Sequence, residues 1–580
     1  MKRITTLVSM FVLFAGWALA QAPDNTYVVS TFSVPSTLDP ALGYDTASGA
    51  IMENLYETLY TFDDPAIDQL VPSLATSYEV LNDGLTYRFQ LREGVEFHSG
   101  NTMSCGDAEW SFQYGLVTAN PEGATSYLLG KQFVGSQQTG DDLEAFLAEV
   151  TWDEIEGAAT CPDGPDGFVL ELNIQAPDPA FLAVLAYTAF SIIDSDYAIA
   201  NGVWDGTEAT WQEWIGRDLT AEFLHRNPGG TGAYKLVEWG DAQVIATRHD
   251  GYWGGPAPIE NVVYNYVDEE ATRILALQRG DADRLILGQR ASLVQVRGAP
   301  GVVVHEDPSW ASTCVSSVFF NFDVNMTDNV DVGSGAFDGA GIPADFFSDV
   351  NVRRGFAHLF DQDEFIAQIY QGEGAKVTMA LPATFPGYNA DVPIRELDLE
   401  AAEQFFRLAW DGQLWDTGFE FTALYNAGNT TRESFLSIIK DNVDFLNPRI
   451  RMNVRSLPWA DFLALQSQGK APLFAVGWCA DYADARHFIN TYYDNDGYYA
   501  PRTSINLPEM QALIDEADVL LDQEVRNFLY RQIGVLHHDL APLIIYPNPT
   551  EYILTRDHIT GIYFNPMRGH DYLWKDIAKN

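Results

Sequence analysis

The sequence predicts an α/β fold of more than one domain. Segments with the period of a strand alternate with segments of helical period, and Gly/Pro punctuation divides the chain. Its 580 residues also exceed what one hydrophobic core usually organises. An apolar share of 47% marks a folded chain, not a disordered one.

The N-terminus reads as an export signal. Lys2 and Arg3 precede an apolar run at 7–20, and Ala18-Leu19-Ala20 has the small-x-small pattern of a signal-peptidase site, with Gln21 as the mature start. The run is shorter than the roughly 20 apolar residues a membrane span needs. No cysteine lies near the cut, so a lipid anchor is not expected. These features imply a soluble protein outside the cytoplasm, periplasmic or extracellular.

Further along, 26–34 is rich in β-formers. In Thr86–Leu91, Tyr87, Phe89 and Leu91 alternate with Arg88 and Gln90, the period of a half-buried strand, and 168–174 alternates similarly. Leu399–Leu408 groups Ala402, Phe405, Phe406 and Ala409 on one helical face, with Asp398 as N-cap. Met510, Leu513, Ile514 and Ala517 form another such face, and Phe528, Leu529, Ile533 and Leu536 a third. Seams are expected at 227–232, 298–301 and 547–549, and 328–341 is a Gly/Asp-rich loop. No internal repeat is apparent.

Composition removes several function classes. With 81 acidic against 33 basic residues, the net charge of −48 repels nucleic acid and anionic lipid. It describes a solvated acidic surface suited to a salty or acidic habitat. There is no Walker loop, H-E-x-x-H, G-x-S-x-G or dinucleotide-type glycine turn, so an enzyme is not expected and no cofactor is called for. Asp328, Asp331 and Asp338 do not have EF-hand spacing, and His537-His538 point in different directions on a helix, so no metal site is expected. Asn325-Met326-Thr327 and Asn429-Thr430-Thr431 match a glycosylation sequon at chance level. Four cysteines in an exported chain imply two disulfides with three possible pairings, and no C-x-x-C is present.

The informative feature is an ordered series of motifs. Thr37-Leu38-Asp39-Pro40-Ala41 precedes Asn54-Leu55-Tyr56-Glu57-Thr58-Leu59, then Pro72-Ser73-Leu74-Ala75 and Asp83-Gly84-Leu85-Thr86-Tyr87. Leu91-Arg92-Glu93-Gly94-Val95 follows, then Gly230-Thr231-Gly232-Ala233-Tyr234 and Tyr252-Trp253-Gly254-Gly255. Asn351-Val352-Arg353-Arg354 and Gly477-Trp478-Cys479-Ala480-Asp481-Tyr482 complete it. This series resembles the extracytoplasmic solute-binding proteins of family 5, which serve peptide and nickel importers, over essentially the whole chain after the leader.

The resemblance implies the two-lobed hinged fold of the large periplasmic binding proteins, with a subdomain inserted in the first lobe. Carried onto this chain, lobe I comprises 21–44, 196–307 and 547–580, the insertion 45–195, and lobe II 308–546. It further implies a receptor that closes its lobes on a peptide and is recognised by the permease pair of an ABC importer, as a monomer. Asp481 would pair with the ligand's α-ammonium, because a buried cation is tolerable only when paired. Trp478 would pack on the ligand, with Gly477, Cys479 and Tyr482 beside it. Ser33, Val34 and Pro35 of lobe I would offer backbone groups to an extended chain. Cys314 and Cys479 match positions bridged in oligopeptide-binding members, which leaves Cys105 to pair with Cys161.

Two departures bear on the ligand. Ala483-Asp484-Ala485 stands where the family often has proline, and Ala475 where some peptide binders carry an arginine for the ligand carboxylate. A peptide held differently, an oligosaccharide, a nickel complex or another small solute therefore remain alternatives. Tyr492-Tyr493 and Tyr498-Tyr499 are compatible with a sugar.

Overall fold

The computed structural model describes residues 25–62, 69–136, 142–178, 180–518, 520, 522–568 and 573–580. The expected leader and Gln21 lie outside them. No helix among the described residues is long and apolar enough to cross a membrane.

The strand Thr26–Thr31 (TYVVST) is buried from its second residue onward and runs parallel to Asn261–Tyr266 on one side and Arg284–Leu285 on the other. Such a central strand reads as a continuous β-branched and apolar run. Gln243–Arg248 and Tyr234–Trp239 extend the sheet at one edge, Asn548–Arg556 and Val302–Ala311 at the other. A second sheet has the order Ile450–Leu457, Phe419–Asn426, Leu473–Trp478, Val315–Phe320, Leu543–Ile545. Phe419–Asn426 and Ile450–Leu457 are parallel, so the chain must cross over between them. The crossover is the helix Thr430–Leu446, which Asn429 caps and which buries Phe435, Leu436, Ile439 and Val443. Full burial of each such side chain contributes about 1.5–3 kcal/mol.

A smaller antiparallel sheet of Ala75–Leu81, Thr86–Leu91, Val169–Asn173 and Ala159–Thr160 lies within the stretch expected to be inserted. The Cys105–Cys161 disulfide ties its edge to the helix Cys105–Thr118.

Between the two main sheets the chain passes after Ala311 and back after Ile545, and the short strand Gly374–Ala375 also pairs with the start of Asn548–Arg556. The passages are stitched together: Ser312 N–H donates to Pro549 O (3.3 Å), Asn548 Nδ2 to Ser312 O (2.8 Å) and Tyr546 N–H to Ser316 O (2.9 Å). Two short adjacent linkers of this kind make a hinge. The expected cut at 307 falls inside Val302–Ala311, which still pairs with the first sheet at Ala311↔Thr550. The expected seam at 547–549 is the start of the returning strand Asn548–Arg556.

The motifs act mainly as scaffold. Glu57 accepts from Thr231 Oγ1 (2.8 Å), the Tyr252 hydroxyl (2.8 Å) and Trp253 Nε1 (2.9 Å), so three motifs converge on one half-buried glutamate. Asp39 accepts from Ala41 N–H (2.9 Å) and from the Tyr114 hydroxyl (2.8 Å). Arg353 donates to Phe347 O (2.6 Å), Ser348 O (2.8 Å) and Leu540 O (3.1 Å). Asp398 caps Leu399–Leu408 as expected. In Gln523–Leu540 the buried stripe is Arg526, Leu529, Tyr530, Ile533 and His537, which leaves Phe528 53% exposed on the opposite face.

Candidate functional site

The second sheet's strand Leu473–Trp478 carries the 477–482 motif to the junction of the lobes. Gly477 leaves room for its neighbour, since a Cβ there would lie 2.7 Å from Ser316 Oγ and displace that hydroxyl. Cys479 is bonded to Cys314, just past the hinge linker, which anchors the turn between strand and aspartate. Asp484 then caps the helix Ala485–Tyr493 and pairs with Arg526 (2.9 Å), so the residue standing in the proline position starts a helix.

That helix returns His487 beneath the turn. Its Nε2 accepts from Trp478 Nε1–H (2.6 Å) and from the Asp481 N–H (3.2 Å). Accepting at Nε2 requires the neutral ring with its proton on Nδ1. Burial enforces this, pushing the imidazole down to about 3. His487 is therefore no counter-ion for Asp481, although Asp481 Oδ2 lies 3.3 Å away.

Asp481 is buried, and burial pushes its carboxyl up to about 8 against the opposing hydrogen bond from Tyr44. Tyr44, from the first lobe's side, donates to Oδ2 at 2.8 Å. No cationic group pairs with this carboxyl among the described residues. Around it stands an aromatic cluster: Tyr44 meets Trp478 edge-on (5.1 Å), Tyr498 (5.4 Å) and Tyr187 (5.5 Å), and Trp478 packs on Tyr498 (4.5 Å). The lobes also touch at Thr431 Oγ1–Gly288 O (2.7 Å) and at Arg486–Asp178 (3.5 Å). The arrangement is a closed one: an acid desolvated at a lobe junction, held by a neutral donor and walled by rings.

The expected residues of 477–482 come together here, with a division of labour. Trp478, Asp481 and Tyr482 are buried at the junction, Tyr482 4.6 Å from His487, whereas Gly477 and Cys479 serve strand packing and the disulfide. Ser33, Val34 and Pro35, expected to offer backbone groups, follow the strand Thr26–Thr31, and Val34 is 37% exposed. The Ser33 N–H is already taken by Thr31 Oγ1 (2.9 Å), Pro35 is buried, and the adjoining Phe32 packs on Gly428. The first-lobe residue that reaches Asp481 is Tyr44, which no motif announced. Another unannounced residue is Arg432 at the start of Thr430–Leu446. Its Nη1 donates to Asn426 Oδ1 (2.6 Å), and it lies near the neutral phenols of Tyr546, Tyr499 and Tyr492. In the 328–341 loop, Asp331 pairs with Arg455 (2.6 Å) and Asp338 accepts from Ala340 N–H (2.9 Å).

The profile of the bacterial extracellular solute-binding proteins, family 5 (middle region), matches residues 69–500. The chain belongs to this family. Among its relatives is heme-binding protein A of Haemophilus influenzae, 25% identical over 94% of this chain and 91% of that protein. The dipeptide-binding protein of Escherichia coli is 24% identical over 97% and 96%. Among solved structures, the periplasmic binding protein DppA of Helicobacter pylori in complex with the peptide STSA superposes with a TM-score of 0.72 at 22% identity, covering 96% of this chain and 98% of that one. The fold is thus the two-lobed α/β fold of family 5 receptors.

Proposed function

We propose that this protein is the extracytoplasmic receptor of an ABC importer, and that it closes its lobes on a peptide whose amino group is received by Asp481. It works by binding and delivery to a membrane permease pair, without catalysis. Lobe I is 21–44, 196–311 and 548–580, the inserted subdomain 45–195 and lobe II 314–545, with 312–313 and 546–547 as hinge. The observation that carries the reading is a buried carboxyl without a cation. A ligand ammonium that displaces the Tyr44 hydroxyl supplies that cation, returns the carboxyl to its ionised form and adds contacts only in the closed state. The surrounding rings supply apolar and cation–π contact to the same group.

The aromatic cluster favours one second reading, a flat or apolar solute held against Trp478, Tyr498 and Tyr44, in keeping with a heme-binding relative. Mass spectrometry of ligand released from the purified protein separates the two. Peptides are expected, and recovery of only porphyrins, sugars or metal chelates would overturn the peptide reading.

A further inference from the structure

The second lobe contains a cavity of about 40 Å³ that shares no lining residue with the interlobe junction. It lies against the last turns of Gln523–Leu540, the start of Gln362–Gln368 and the edge strand Leu543–Ile545. Its volume is several times that needed for one water. Leu543 and Ile545 give it an apolar wall, and no carboxylate is among its lining residues.

Its polar side chains present donors. Ala380 N–H donates to the Tyr493 oxygen (2.8 Å), and the Tyr493 hydroxyl is 3.1 Å from His537 Nδ1. The hydroxyl finds its acceptor there, so His537 carries its proton on Nε2. Among the described residues that Nε2–H has no protein partner. Gln362 Oε1 accepts from Val377 N–H (3.4 Å), which leaves its amide NH₂ for the cavity. Arg395 Nη2 donates to His538 O and Nη1 lies 3.5 Å from His358 Nε2, both neutral acceptors. The neighbouring Glu396 is engaged by Lys376 (2.9 Å). Capping the helix C-terminus accounts for one edge of Arg395. It does not account for the donor edges of His537 and Gln362 at the same cavity.

We propose that this cavity is a second ligand site, for a small carboxylate. Its oxygens accept from Arg395, His537 Nε2–H and the Gln362 amide, and a short apolar tail rests on Leu543 and Ile545. A guanidinium fork matches a carboxylate's two oxygens, and Arg395 is partly desolvated with its direct hydrogen bonds going to neutral acceptors, Asp539 acting on it only at longer range.

The test is thermal unfolding of the full chain in sodium acetate and sodium butyrate at fixed ionic strength, with chloride as the balancing anion. The wild type and the Asp481→Asn variant should show a saturable rise in Tm of about 2–4 °C. Arg395→Gln and Gln362→Leu should lose it, and the second variant preserves the test if the first does not fold. The proposal is overturned by no saturable rise in the wild type, by an equal response to chloride, or by an undiminished rise in Gln362→Leu. Because Asp481→Asn keeps the rise, failure here is distinguishable from failure of the interlobe reading.

Discussion

Asp481 and its neighbours set a protonation cycle. In the closed, unliganded site the carboxyl holds its proton up to about pH 8, because burial outweighs the Tyr44 hydrogen bond. A bound ammonium favours the anion, so binding at neutral pH expels that proton. Isothermal titration of a free-amine peptide in buffers of different ionisation enthalpy should therefore show release of about one proton per ligand, absent in Asp481→Asn. Affinity should increase as pH rises towards 8, since the competing proton is lost, and should fall above it as the ligand's own amine, with a pKa of about 8, deprotonates. Uptake of a proton, or none exchanged, would contradict the assignment. His487 takes no part, since it stays neutral well below neutral pH.

At the scale of elements, the motifs and the site are separable. Glu57→Ala leaves the buried Thr231 and Tyr252 hydroxyls and the half-buried Trp253 N–H without this acceptor, at about 1–3 kcal/mol for each buried group left unsatisfied. Chemical denaturation should show a loss of at least about 2 kcal/mol, while the folded fraction still binds its ligand. Cys314→Ser with Cys479→Ser opens a loop of 165 residues and frees the turn carrying Asp481. It should lower stability by about 2–5 kcal/mol and weaken binding as well, and unchanged binding would deny the bond any role in placing Asp481. These contacts also explain what the sequence could reveal. The strands at Thr26–Thr31 and Thr86–Leu91 and the Asp398 cap were legible because period and capping are local. The Gly477–Tyr482 neighbourhood was legible through its motif. Tyr44 and His487 were not: Tyr44 meets Asp481 through tertiary packing from 437 residues away, and His487 through the particular turn that joins the motif to the helix Ala485–Tyr493. The bond from the Ser33 N–H to Thr31 Oγ1 was not legible either, because a side-chain acceptor two residues back leaves no periodic trace.

For the whole molecule, the same buried acids couple pH to closure and stability. Asp39 is pushed up to about 6 and Asp481 to about 8, each mainly by burial. Both bind protons in the closed fold at pH values where an unfolded aspartate, with a pKa of about 3.9, does not. The folded state holds the excess protons, so stability is greatest at the acid end of the window. It falls as pH rises from about 4, through 6 for Asp39 and through 8 for Asp481. Opening the lobes hydrates Asp481 alone. Small-angle scattering of the unliganded protein should therefore show expansion between pH 6 and 8, and Asp481→Asn should flatten that dependence. The central claim, that a ligand amine completes the charge of Asp481, is tested most directly by calorimetry with a peptide recovered from the protein and its N-acetylated form. Removing one partner of a buried pair costs about 3–5 kcal/mol, so acetylation, or Asp481→Asn with the free amine, should weaken binding at least about 100-fold. Equal affinity of the two peptides for the wild type would contradict it.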